Sequence, residues 1–177
     1  MLDAVIDIFE GGDLDPGIDE ISEKSGVSNR SIYRYFHQRD ELIRAAMWRA
    51  MARIQPEMTL DDLGVGELGD RIARFVQHRL EMYAALAPLT RAARRAAQSE
   101  PMIGEEFEAG RLVLRRQFLD QFAPELERLT AGERTRLVTA AEMAFQFESF
   151  EYLHHSCAER DMISEILVEQ LTFYLDR

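Results

Sequence analysis

Apolar side chains along this chain recur at intervals of three and four residues, and nowhere do they alternate with polar ones between turn signals as a strand requires. Leu42, Ile43, Ala46, Met47, Ala50, Met51 and Ile54 trace one face of a long helix from Arg39 to about Gln55, which Pro56 ends. Residues 58–66, with Gly64 and Gly66, read as a loop. Leu68, Ile72, Phe75, Val76, Leu80, Tyr83 and Leu86 predict a helix over about 67–87, and Pro88 starts or kinks a short one to Gln98. Residues 101–104 lead into a helix over about 105–122, carrying Phe107, Leu112, Leu114, Phe118 and Leu119, before Pro124 breaks it. Thr130 followed by Glu133 is a capping box for a helix running to Cys157, and the last helix covers about 161–175.

Residues 18–42 are denser in signals. Ile18 and Ile21 give a short helix an apolar edge, Gly26 can enter the left-handed region and stop it, and Val27 fills the turn. Ser28 is a good N-cap for a second helix over 29–35. Ile32 and Phe36 lie four apart and face inward, leaving Asn29, Arg30, Tyr33 and Arg34 on the other side. A short helix with cationic, polar and aromatic groups outward, braced by a preceding helix, suits the DNA major groove, where Arg reads guanine and Asn reads adenine. A solvated face, or phosphate contacts alone, is the plainer alternative.

These residues resemble the helix-turn-helix of the tetracycline-repressor family of bacterial transcriptional regulators. Ser25-Gly26-Val27-Ser28, Ser31-Ile32-Tyr33-Arg34-Tyr35-Phe36 and Arg39-Asp40-Glu41-Leu42 follow its pattern nearly position by position, and residues 2–9 look like its first helix. The specific match covers about 2–46, with a looser likeness to the family's C-terminal domains around 91–101 and 118–126. The resemblance implies an all-α fold of about nine helices: a DNA-binding domain over 1–46 and a ligand-binding and dimerisation domain over 47–177. It places Ser28, Ser31, Tyr33, Tyr35 and Arg39 beside Asn29, Arg30 and Arg34 as the DNA-contacting set; Tyr35 could instead pack against the first helix. The chain departs from the family in three ways. The loop over 11–17 is about one residue short. Asp15-Pro16-Gly17 stands where threonines usually cap the second helix and touch phosphate, and a carboxylate repels phosphate. Met1 already lies inside the first helix, so the family's basic N-terminal arm is not among these residues, whether or not one precedes them.

Net charge is −11, which at face value argues against a nucleic-acid partner. Its distribution changes that: residues 1–21 carry −7, residues 22–53 carry +4, and the remainder −8. The basic excess thus falls on the proposed reader, and binding should depend strongly on salt. Apolar content of 46% suffices for a core, no apolar run approaches ~18 residues, and no membrane partner is expected. A single Cys157 forms no internal disulfide, and a cytoplasmic setting is the natural expectation.

The last two helices are apolar on more than one side. Leu137, Ala141, Ala144, Phe145, Ile163, Leu167, Leu171 and Tyr174 are the candidate homodimer face, against the alternative of a monomer that needs this surface for its own core. By the resemblance, a small-molecule effector would sit in the C-terminal domain. Its candidate lining is Met47, Trp48 and Met51, then Phe75, Arg79, Met82 and Tyr83, then Arg115, Phe118 and Phe122, then Met143, Phe147 and Phe150, or these are plain core. Arg79 and Arg115, if inward, would want an anion; otherwise they are solvated. Adjacent His154 and His155 diverge by ~100° on a helix and cannot share a metal. No cofactor motif and no catalytic constellation is present. The expectation is a one-component regulator, not an enzyme. As a dimer it binds a pseudo-palindromic double-stranded operator, and a largely apolar ligand acting through the helix from Arg39 releases it. The rival is a dimeric ligand-binding protein of the same fold that no longer reads DNA.

Overall fold

Ten α-helices and one 3-10 turn make up the computed structural model, which describes residues 1–13, 15–97, 101–156 and 159–176, with side chains outside 54, 55, 57, 96 and 101–107. Cys157 and residues 98–100 fall outside the described residues, as do the side chains of Ile54 and Phe107. No strand occurs among the described residues. The chain forms two compact units, one of Met1–Thr59 with Ala85–Phe107, the other of Leu60–Ala84 with Glu108–Arg177.

In the first unit, α1 (Leu2–Glu10), α2 (Ile18–Ser25), α3 (Asn29–Tyr35) and α4 (Arg39–Ile54) surround one apolar cluster. Val5 and Phe9 of α1, Ile21 of α2, Ile32 of α3, and Leu42, Ala46 and Ala50 of α4 are all at or near zero exposure. Leu89, Ala92 and Ala93, from the later stretch of α5 (Leu68–Ala96), belong to the same cluster. Each large aliphatic or aromatic side chain sealed in this way contributes ~1.5–3 kcal/mol, and α2 and α3, at eight and seven residues, are too short to persist without it. Gly26 ends α2 with φ at +67°, where a side chain would be strained. Ser28 caps α3 by accepting from the Ser31 amide. At the rim, Arg49 donates to both carboxylate oxygens of Asp3, at 2.7 and 3.1 Å, joining α4 to α1.

The second unit takes the early stretch of α5, the later stretch of α6 (Pro101–Gln121), α7 (Ala123–Leu126), α8 (Ala131–Ala144), α9 (Phe147–Ser156) and α10 (Arg160–Leu175). Phe75 is its hub, meeting Phe118, Phe122 and Phe145 edge-on with centroids 5.2–5.7 Å apart. Buried Arg71 makes two bonds to Glu125, at 2.5 and 2.9 Å, and donates to the carbonyls of Gln121 and Gly66. Gln121 answers through its amide to Arg71 O and accepts from Gly64 N.

Three elements differ from their sequence expectation. Pro88 neither ends nor starts a helix but lies inside the 29-residue α5. Leu86, Ala87, Leu89 and Ala92 are buried on both sides of it, and that packing outweighs a cost of ~3 kcal/mol. Helix α6 begins at Pro101, four residues early, a position where a missing N–H costs nothing. The helix expected from Thr130 to Cys157 is two, α8 and α9, separated at Phe145 and Gln146. The capping box at its start is present as expected.

A candidate nucleic-acid interface and a cationic cavity

Burial of Ile32 and Ile21 rotates α3 so that its opposite side faces out. Arg30, Tyr33 and Arg34, spaced to share one face, are exposed, and Arg30 has no side-chain partner among the described residues. Tyr35 is 65% exposed rather than packed on α1; its hydroxyl accepts from Arg34, whose guanidinium also lies 4.9 Å from its ring centroid. Ser28 and Ser31 are occupied with each other at the cap, hydroxyl to hydroxyl at 3.1 Å.

Two of the predicted contact residues are held by acids that the sequence reading did not pair with them. The Asn29 amide donates to Asp19 of α2 at 2.6 Å. Arg39 donates to Pro16 O at 2.8 Å and closes a short ion pair with Asp15. Both contacts join groups ten or more residues apart, so no local spacing marks them.

In the second unit a cavity of about 40 Å³ opens among Phe75, Arg79, Tyr83, Arg115 and Phe118, five of the predicted pocket residues. A water needs ~10–15 Å³ by this measure, so the space holds a few. Arg111, Leu114, Glu142 and Gln146, unnamed by the sequence reading, also line it. Arg111 stands one turn before Arg115, a spacing the sequence could have shown; Glu142 reaches Arg115 across two helices, which it could not. Ala141 and Phe145, expected between subunits, line this cavity instead.

Arg79 is 2% exposed, with its guanidinium 4.5 Å from the Phe75 ring centroid. Burial pushes its pKa down to about 10, partly opposed by Tyr83, so it stays charged at neutral pH. Arg115 is half-exposed and paired with Glu142.

The other predicted pocket residues do not line this cavity. Met47 is core of the first unit, with Met51 packed against it, and Trp48 there is 47% exposed. Phe122 and Met82 are buried, and Phe147 and Phe150 pack on Tyr83 with ring centroids 5.8 and 5.6 Å away. Met143 is 69% exposed. Of the proposed interface residues, Ile163, Leu167 and Leu171 are buried within the protomer, while Leu137, Ala144 and Tyr174 are half-buried. Among the described residues no cluster of His, Cys, Asp and Glu could hold a metal, and no helix is long and apolar enough to cross a membrane.

Residues 2–46 match the family model for bacterial regulatory proteins of the tetR family. No curated protein matches the chain. The crystal structure of a tetR-family transcriptional regulator from Streptomyces coelicolor superposes with a TM-score of 0.68 at 19% identity, covering 98% of this chain and 78% of that one. At that identity the likeness is one of fold alone, over the helical region beyond residue 46 as well as before it. Residues 2–46 thus carry the helix-turn-helix described by the tetR-family model, and the chain as a whole shares the all-helical fold of that structure.

Proposed function

We propose that the protein binds a pseudo-palindromic operator as a homodimer, one α3 per half-site in the major groove, and that a small ligand in the second unit weakens that binding. The observation that carries the reading is the joint exposure of Arg30, Tyr33 and Arg34 on a helix fixed from behind by Ile32. Arginine at the major-groove edge reads guanine, and tyrosine hydroxyls steady the phosphates beside it. The regulator acts in the cytoplasm, where its DNA is.

Self-association uses what α10 leaves outside. Ile163, Leu167, Leu171 and Leu175 face the protomer's own core, while Met162, Ile166 and Phe173 share the opposite side. Tyr152 of α9 is 71% exposed as well. A helix apolar on both sides supports a two-fold contact.

Coupling has a covalent carrier. Helix α4 lies wholly within the first unit, whereas α5 belongs to both. Phe75, Arg79 and Tyr83 line the cavity from its early stretch, and Leu89, Ala92 and Ala93 join the reader's core from its later stretch. A ligand that prefers one setting of α5 shifts the population of reader states by as much as its affinity differs between them. Footprinting on DNA flanking the protein's own gene tests the reading: a protected inverted repeat is expected, and uniform, sequence-independent protection would refute it.

A further inference from the structure

We propose that the ligand received by the second unit is a small organic carboxylate, its anionic end held by Arg79 and its apolar body by Phe75, Phe118 and Phe145. This rests on the reading that the second unit carries the effector site. The same unit shows what a structurally committed buried arginine looks like. Arg71 holds Glu125 with two nitrogens and also donates to two carbonyls. Arg79 is at least as deeply buried, at 2% against 4% exposure, yet no carboxylate lies within ion-pair distance of it among the described residues. Its hydrogen-bond partners are the Leu114 carbonyl and the His78 Nδ1, neither of them a carboxylate and both long at 3.3 Å. An uncompensated buried charge is costly, and this one forms the wall of a cavity.

Two more guanidiniums line the wall, and each is answered by a carboxylate: Arg111 by Glu108 at 2.9 Å and Arg115 by Glu142. Among the described residues, Arg79 is the cation of this lining left without one, and its charge favours an anion. The planar guanidinium fork matches a carboxylate with two parallel bonds. Three phenylalanines complete the lining and favour an acid with an apolar body over inorganic phosphate. The space of about 40 Å³ admits the head group, and the remainder enters as the aromatic side chains move apart.

The test uses the full chain at constant ionic strength. Acetate, benzoate and octanoate are compared with their amides and with inorganic phosphate, by thermal unfolding and by calorimetric titration. At least one acid should raise Tm and bind ~10-fold or more tightly than its amide, since only the charged-pair bonds differ. Arg79→Met should abolish that preference and raise the Tm of the unliganded protein, because an unpaired charge gives way to an apolar chain of similar length. Arg79→Lys should keep some of the preference. No response to any acid, amides equal to acids, or phosphate binding better than every acid would each overturn the proposal. So would an Arg79→Met protein less stable than wild type, with Arg79→Lys destabilised too, since the side chain would then be a structural strut. Equal binding of amides would leave the effector-site reading standing and remove only the acid. Operator binding by the wild type with no acid present tests the regulator reading separately.

Discussion

On the proposed operator, Asp15 and a DNA phosphate would compete for one guanidinium. Arg39 is held by Asp15 and Pro16 O in the free protein, at a pair of side chains 32% and 58% exposed. Exposed pairs of this kind are worth ~0–1 kcal/mol, so DNA can break it, at a cost. Asp15→Asn should therefore tighten binding to all sequences alike, by ~0.5–1 kcal/mol, and steepen the salt dependence by about one phosphate contact. Mobility-shift titrations at several salt concentrations measure both, and an unchanged slope would show that Arg39 does not reach phosphate. Asn29 is compromised differently. Its amide is committed to Asp19, so reading adenine would first require giving up that bond. Arg30 has no such bond to give up among the described residues. Arg30→Ala should cost ~1–3 kcal/mol and relax preference at its base, whereas Asn29→Ala should cost less. The reverse order in a binding assay would mean that the Asp19 contact opens on DNA.

Two junctions between helices are closed by side-chain hydrogen bonds. The Tyr83 hydroxyl donates to Phe145 O at 2.6 Å, taking up the carbonyl at the point where α8 stops. The Ser149 amide turns to Gln146 O, and its hydroxyl to Met143 O, so the break is closed on both sides. Tyr83→Phe removes the donor and leaves a buried carbonyl, and should destabilise by ~1–3 kcal/mol in urea unfolding; no change would mean that water replaces it. The second junction is α7, where Arg71 meets Glu125. The hydrogen bond from Arg71 holds the Glu125 carboxyl below its ordinary 4.5, against the opposing effect of burial. A carboxylate depressed in the folded state stabilises fully above that ordinary value, and the contribution drains away as pH falls below it. Urea midpoints should thus decline on acidification through the carboxylate range, and Glu125→Gln should flatten that limb. Glu125→Ala should cost ~3–5 kcal/mol at neutral pH by leaving Arg71 buried and unpaired.

At the scale of the molecule, the proposed two-fold contact assigns folding to one face of α10 and assembly to the other. Leu167 and Leu171 are at 4% and zero exposure, so a charge there should unfold the protomer rather than dissociate a dimer. Phe173→Glu or Ile166→Glu, on the exposed side, should yield folded monomers that lose tight operator binding and keep weak non-specific binding. Sedimentation with far-ultraviolet circular dichroism distinguishes the cases, and a dimer that tolerates both changes would exclude this face. Trp48 is half-exposed on α4, in the first unit, while the cavity belongs to the second. Its emission therefore follows the state of the first unit and is not a direct gauge of cavity occupancy.

Periodicity, caps and the Gly26–Ser28 turn were enough to reveal an all-helical chain, helix α3 with its outward residues, and the capping box at Thr130. Each is set by groups within about one helical turn of one another, where spacing alone determines who meets whom. The sequence also marked Phe75, Arg79, Tyr83, Arg115 and Phe118 as candidates, though it could not tell lining from core. Tertiary structure decided that, together with the passage of α5 through Pro88 and the break before α9. It also set the pairing of Asp15 with Arg39 and of Glu142 with Arg115. These depend on groups 23 to 62 residues apart or on burial of whole faces, and a helix pattern carries no record of which neighbour will cover it. The same holds for α10: its sequence shows two apolar sides, and only packing selects Leu167 for the core and Phe173 for solvent.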